Sequence, residues 1–338
     1  MQRSEFLSHR APALALSVLA AALLAACGGG GSDGRVGLDD ATATMYAANA
    51  AQIGSDATGV ADAGVLAAQA MVAAGAGVMA SDDRMSAQAT GAQPLGTSTK
   101  PCPGGGSATV SITGGTPESE ANGKLDTGEV YQVSYAACAG AAGLDQLDGT
   151  LAMTVLAASG DSANGALSLS TTATGLMLTT PRGTATLNGS TQRDYSVATD
   201  SDGTVHLGSH LVTTPSATLA TNYNARASLF TLSATDIQRT ATLVGGVLQS
   251  STIMGTHTLA GVLPNATFSF TVATTGGVTT YGPDGRPTAG VWTITLPENI
   301  VAVTIANALA TITIDHGKDG TIDRPITVTL PQLVGSAG

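Results

Sequence analysis

The sequence predicts a mainly β protein, in which a large antiparallel up-and-down meander follows a short alanine-rich helical segment. The first observation is an alternation of apolar and polar residues that begins near Ser107, as where Phe268, Phe270 and Val272 are separated by Thr and Ser. A period of two is typical of strands that have one buried and one solvated face. The second observation is a series of dipeptides that can form tight hairpin turns. These are Asn164-Gly165, Asn188-Gly189, Asp202-Gly203, Gly245-Gly246, Asp284-Gly285 and Asp319-Gly320.

The number of strands restricts the architecture. Roughly 14 to 18 strand-like segments lie between Ser107 and Leu330, which is more than most open sheets hold without curling, splitting or closing. The pattern therefore fits a curled sheet, a sandwich or a soluble barrel. An outer-membrane barrel fits less well, because one Trp, six Tyr and four Phe are too few for two aromatic girdles.

Composition and charge exclude several classes of protein. Hydrophobic residues make up 43% of the 338 residues but aromatic residues only 3%, so the core is built from aliphatic side chains. That apolar content is too high for a disordered chain. The 13 Lys and Arg against 24 Asp and Glu give a net charge of −11, which repels the phosphates of nucleic acids. We therefore expect a folded protein that does not bind nucleic acid.

The N-terminus has the order of an export signal. Arg3 and Arg10 precede an apolar stretch over residues 11–26, which is shorter than the roughly 20 residues that span a bilayer. Leu24-Ala25-Ala26-Cys27 then resembles the lipobox of bacterial lipoproteins. The alternative is an ordinary secretion signal with a cysteine at its cleavage point.

Several further segments resemble lipoproteins of Gram-negative bacteria whose function is not assigned. They are PCPGGGS from residue 101, TGEVYQVSYAAC from residue 127 and DHGKDGTIDRPITVTL from residue 315. The resemblance implies that residues 1–26 are a signal peptide and that Cys27 carries the acyl chains of a lipid anchor. Residue 28 is Gly rather than Asp, which by the sorting rule of these lipoproteins implies the outer membrane. Residues 27–37 would form the lipidated cysteine and a glycine-rich tether.

Residues 38–80 are rich in alanine and predict the helical segment. Asp39 or Asp40 is suited to cap a first helix that ends near Ile53, and a second helix is expected from about Val60 to Ala74. Glycines interrupt both stretches, and each interior Gly costs a helix about 1 kcal/mol relative to Ala. We therefore expect two short helices that depend on packing. Residues 81–101 would be a linker, and residues 102–338 the antiparallel β domain.

Cys102 and Cys138 remain once Cys27 is assigned to the anchor. An even pair of cysteines in an exported protein is most simply explained as one disulfide. The pair lacks the close CxxC spacing of a redox-active site. We therefore expect a structural bond.

The loop between these cysteines carries a pattern with the spacing of a calcium-binding loop. Its oxygen-bearing residues fall at positions 1, 3, 5, 9 and 12, with Gly at position 6, as in an EF-hand. The residues are Glu118, Glu120, Asn122, Asp126 and Glu129. Position 1 is Glu instead of Asp, and flanking helices are not predicted. Two interpretations therefore stay open: a Ca²⁺ site or a solvated acidic hairpin loop.

No motif in the sequence nominates a catalytic centre. HExxH and GxxxxGK do not occur, and the one GxSxG match lies in the tether, without a strand before it. We therefore expect a non-enzymatic protein of the cell envelope, held at the membrane by its lipid, with a structural or hydrophobic-ligand-binding β domain. The alternatives are a surface-exposed adhesin or receptor that contacts another envelope protein, and an envelope hydrolase.

Overall fold

The computed structural model describes residues 38–82, 97–120, 122–140, 146–161, 163–223, 226–245, 247–263, 266–274, 278–323 and 325–336. Cys27 and the tether lie outside these residues. The described elements, in chain order, are α1 (Asp40–Asp82), β1 (Ser98–Pro101), β2 (Ser107–Thr113), α2 (Pro117–Glu120), β3 (Val130–Ala139), β4 (Gln146–Gly160), β5 (Asn164–Thr180), β6 (Gly183–Thr199), β7 (Val205–Tyr223), β8 (Arg226–Val244), β9 (Val247–Leu263), β10 (Ala266–Thr274), β11 (Thr279–Tyr281), β12 (Pro287–Thr295), β13 (Asn299–Ala306), β14 (Leu309–His316), β15 (Ile326–Thr329) and α3 (Leu330–Gly335).

All fifteen described strands belong to one antiparallel sheet, which confirms the predicted meander. Each strand pairs with the next in the chain from β1 to β15, except that the short β11 pairs with β9 and β12 while β10 pairs directly with β12. Of the three architectures that the pattern allowed, the curled sheet is the one observed. The expected linker is partly wrong, because β1 lies within it and pairs with β2.

The two short helices expected in the alanine-rich segment are a single helix of 43 residues, so this prediction was wrong. The predicted cap is confirmed at Asp39, whose Oδ1 accepts a hydrogen bond from the backbone N–H of Thr42 at 2.8 Å. The interior glycines that argued for a break are overridden by tertiary packing. Gly64 is an example, because a Cβ atom there would lie 2.9 Å from Leu176 and 3.1 Å from Leu151. Glycine at this position lets the helix approach the sheet closely.

The sheet curls around α1. The helix contacts strands from β1 through β14, and its buried residues lie on every side of it. A helix that is apolar all round is one that is enclosed by protein. The dimensions match, since 43 residues of helix extend about 65 Å and the 19-residue strands β7 and β8 about 60 Å. Two tyrosines of the sheet form hydrogen bonds with backbone carbonyls of α1. The hydroxyl of Tyr135 donates to the carbonyl of Gly64 at 2.8 Å, and that of Tyr281 donates to the carbonyl of Ala51.

A continuous row of β-bulges crosses the sheet from β3 to β8. In each of these six strands the pairing register shifts, and each shift lies beside the one on the next strand. Bulges bend a strand and increase its twist, so the row accounts for the curl around α1. The dipeptide Asn188-Gly189 belongs to this row. It lies within β6, with Gly189 at φ 115°, and is not the hairpin turn that the sequence suggested.

Candidate functional site

The disulfide between Cys102 and Cys138 is present in the structure, as predicted. The two Cα atoms are 5.3 Å apart, and the bond joins residues 36 positions apart. Both cysteines are buried. The bond ties the turn between β1 and β2 to the end of β3, at one edge of the sheet, and is therefore structural.

The acidic loop brings several of the predicted calcium ligands together, but uses their oxygens in hydrogen bonds within the protein. Glu129 is fully buried, and its carboxylate accepts from the hydroxyls of Ser119 and Tyr131 and from the N–H of Asp126. The amide of Asn122 donates to Asp126. Glu118 is exposed, and the side chain of Glu120 lies outside the described part of the structure.

No group of three or more His, Cys, Asp or Glu side chains is arranged to hold a metal ion within the described residues. The calcium site therefore stays a prediction from spacing. The geometry of the loop already gives Glu129 a structural role, because a buried carboxylate with three donors is well satisfied without a cation.

The feature that best qualifies as a functional site is a cavity of about 370 Å³ between α1 and the inner face of the sheet, here called the α1 cavity. Its apolar wall combines one face of the helix with strands β5, β6, β7, β8 and β9. Two buried ionic clusters, centred on Asp56 and Asp62 of α1, add polar groups to this wall. The apolar lining is contributed by Val60, Ala63, Leu66, Leu178, Ala185, Leu207, Ala241, Leu243, Val247 and Leu248.

The first cluster is centred on Asp56. Arg182 donates to its carboxylate at 2.9 Å, and the hydroxyl of Tyr223 donates at 2.8 Å. Gln52 donates a third hydrogen bond, and the guanidinium of Arg182 also lies over the Tyr223 ring, 4.8 Å from its centre. Burial raises the pKa of Tyr223, and the neighbouring charge of Asp56 raises it further. Asp56 and Arg182 therefore form a neutral, well-bonded pair.

The second cluster is centred on Asp62 and contains two arginines for one carboxylate. Arg193 of β6 donates to Oδ1, and Arg239 of β8 donates to Oδ2 at 2.6 Å. Ser209, on the strand between them, donates to Oδ2 at 3.2 Å. The Arg193 and Asp62 side chains are 0% and 3% exposed, and that of Arg239 is 9% exposed. Both guanidinium groups are therefore buried, and one of their two charges is uncompensated by Asp62.

Several donors around Asp62 have no hydrogen-bond partner among the described residues. They are Nε and Nη1 of Arg193, Nε of Arg239 and the hydroxyl of Tyr195. Burial raises the pKa of Tyr195, so this hydroxyl keeps its proton. Buried polar groups without partners are rare in folded proteins, and a group of them calls for a bound ion, ligand or water.

Sequence reasoning missed all of these residues, although a signal for the arginines was present. Arg193 is two residues from the buried Tyr195, and Arg239 is two residues from the buried Ile237 and Ala241, so each arginine lies on the buried face of its strand. An arginine on the buried face of a strand points into the core and needs a buried partner. The partner itself could not be identified, because Asp62 lies 131 and 177 residues away from the two arginines.

Asp284 also lines the cavity, whereas the described histidines lie outside it. His206 and His210 are on the solvent side of β7, where each contacts an aspartate. His257 is buried near Gly54 of α1, and burial lowers its pKa to about 4. Within the described residues, no helix is long and apolar enough to span a membrane.

Comparison of the chain with protein-family models, with curated proteins and with solved structures finds no significant match. Function has to be argued from the geometry of the α1 cavity and from the N-terminal motif.

Proposed function

We propose that the protein is a lipid-anchored lipoprotein of the outer membrane whose β domain binds a hydrophobic ligand in the α1 cavity. The observation that carries the proposal is the cavity itself, because its volume of about 370 Å³ is that of a small-molecule site and its apolar side chains are mainly Leu, Val and Ala. The anchor is supported by the lipobox-like residues that end at Cys27.

The cavity has the composition of a binding site. Its polar groups are those of the two ionic clusters together with Ser55, Thr180, Ser251 and Asp284, whereas Leu66, Leu178 and Leu248 belong to its aliphatic wall. Binding sites for small molecules combine such a wall with a few placed polar groups that orient the ligand. The role proposed is therefore binding rather than catalysis.

The cavity can be closed by a single substitution at Gly59. This residue lines the cavity from α1, and a Cβ atom added there would meet nothing within 4 Å. Gly59→Leu places an aliphatic side chain in the empty space, and Gly59→Ala is the matched control that adds one methyl group. Both changes favour the helix by up to about 1 kcal/mol, so neither is expected to unfold the protein.

The test uses the chain from Gly28 onward, which contains the whole compact unit Val36–Gly338. The protein is exported without its anchor cysteine, purified without detergent and examined by native mass spectrometry. Wild-type protein and Gly59→Ala are expected to carry an apolar molecule that Gly59→Leu lacks, while all three melt as folded proteins. Empty wild-type protein that also fails to bind added decanoate or decanol would refute the binding role.

The anchor is tested separately on the full chain. Mass spectrometry of the N-terminal peptide is expected to show acyl chains on Cys27, and Cys27→Ala should move the protein from the membrane fraction to the soluble fraction. An N-terminus that begins elsewhere and carries no lipid would contradict the anchor without affecting the argument for the cavity.

A further inference from the structure

The charges around the α1 cavity do not balance. The three arginines Arg182, Arg193 and Arg239 face only two aspartates, Asp56 and Asp62, and all of these groups are buried or largely buried. A third aspartate, Asp284, lines the cavity near Arg182 and pairs with Arg286, so this second pair adds no net charge. The groups around the α1 cavity are thus four arginines against three aspartates, an excess of one positive charge, although the chain as a whole has a net charge of −11.

The excess charge is located at Arg239. Arg193 pairs with Asp62, is fully buried and does not line the cavity, so its charge is matched by that of Asp62. Arg239 does line the cavity, and its Nε has no hydrogen-bond partner among the described residues. A guanidinium can donate five hydrogen bonds, so Arg239 retains donors that an incoming acceptor could use.

Burying an uncompensated charge is costly, and proteins pair such charges or bind a counter-ion. A ligand anion that accepts a hydrogen bond from the Arg239 guanidinium at the cavity would neutralise the excess charge. Charge-assisted hydrogen bonds of this kind are about twice as strong as neutral ones.

We propose that the ligand of the α1 cavity is a single-chain amphiphile with a monoanionic headgroup, such as a fatty acid, whose headgroup pairs with Arg239 while its chain lies along the aliphatic wall. The inference rests on the proposed function, because it specifies the ligand class of the same cavity. One negative charge matches the one excess positive charge. The aliphatic wall around Leu66, Leu207 and Leu248 belongs to the same cavity as Arg239.

The experiment compares two ligands that differ only in the headgroup. Decanoate and decanol are titrated by calorimetry into the delipidated chain from Gly28 onward at pH 8, where the acid is ionised. Decanoate is expected to bind at least about tenfold more tightly, since a hydrogen bond to a charged group contributes that much or more. Arg239→Met is expected to abolish this preference, while Arg239→Lys keeps the charge and part of the preference.

The control is Lys318→Asn, which removes the same charge from an exposed turn. Lys318 has φ 56°, a conformation that Asn tolerates, so the variant is expected to fold and to keep the full preference for decanoate.

Each outcome is decisive. Equal binding of decanoate and decanol to the wild-type protein would overturn the proposal of an anionic headgroup, but not the proposal that the cavity binds a hydrophobic ligand. Binding of neither would overturn both proposals. A preference that survives Arg239→Met would overturn the assignment to Arg239. The comparison on the wild-type protein does not depend on whether that variant folds.

Discussion

Removing the central carboxylate of the Asp62 cluster should destabilise the protein far more than removing one of its arginines. Asp62→Asn leaves Arg193 and Arg239 buried side by side with no counter-charge. Arg239→Met leaves Asp62 paired with Arg193 and removes the donor Nε that lacks a partner. Both substitutions keep a side chain of similar size, so the comparison isolates charge from packing.

The magnitudes follow from the burial and the contacts of the cluster. Asp62 is 3% exposed and accepts from both arginines and Ser209, so its loss is expected to cost about 3–5 kcal/mol, as for other buried ion pairs broken on one side. For Arg239→Met two contributions oppose each other. One charge-assisted hydrogen bond of about 1.5–3 kcal/mol is lost, and a desolvation penalty of comparable size is relieved, so the net change is expected to stay within about 2 kcal/mol.

The assay is urea denaturation at pH 7 of delipidated wild-type protein, Asp62→Asn, Arg239→Met and the surface control Lys318→Asn. We expect a large loss of unfolding free energy for Asp62→Asn, a small change for Arg239→Met and none for the control. Equal losses for the two cluster variants would refute this expectation, because they would show that Arg239 is not an excess charge but a required partner of Asp62.

Three other predictions concern the rest of the chain. Burial lowers the pKa of His257 from about 6.5 to about 4 in the folded protein, so the unfolded chain binds a proton first as the pH falls. Stability that is present above pH 6.5 is therefore lost by about 3 kcal/mol as the pH falls to 4. His257→Leu should remove this part of the acid sensitivity, as measured by thermal melts across that pH range. Replacing both Cys102 and Cys138 by Ala should lower the unfolding free energy by about 3–4 kcal/mol, because the disulfide no longer restricts the unfolded chain. A reductant should have no further effect on this variant, and a melting temperature of the variant that responds to a reductant would contradict the disulfide as the cause. If the acidic loop binds Ca²⁺, millimolar Ca²⁺ raises the melting temperature of the wild-type protein and EDTA reverses the rise. Glu129→Gln is expected to melt at a lower temperature at every Ca²⁺ concentration, because three donors face the buried carboxylate of Glu129. A wild-type melting temperature that Ca²⁺ does not change rejects the metal site.

Local patterns were sufficient for the strands and the disulfide. The alternation of Trp292 and Ile294 with threonines depends only on which face of a strand is buried, and both residues are in the core. The disulfide was inferred from the two cysteines that remain once Cys27 is assigned to the anchor and from export to an oxidising compartment. Turn dipeptides were less reliable, since Asn188-Gly189 serves equally well in a bulge, where the positive φ of Gly189 is used within a strand.

The prediction of two short helices in place of α1 was wrong because it considered helix propensity without tertiary packing. Each interior glycine of α1 opposes helix formation by about 1 kcal/mol, and the sequence alone contains nothing to offset that cost. In the structure the offset comes from enclosure by the sheet, which buries Ala48, Ile53 and Val65 on different sides of the helix. At Gly64 the penalty is itself useful, because a side chain there would collide with Leu176.

By itself, the sequence determined the mainly β meander and the pairing of Cys102 with Cys138, because periodicity and cysteine count are properties of short stretches and of composition. The lipid anchor at Cys27 is likewise an expectation from a local motif. Only the tertiary structure decided that the sheet curls around one long helix and that Asp62 meets Arg193 and Arg239. Those residues are far apart in the chain, and the excess charge and the cavity exist only once the curled sheet brings them together around α1.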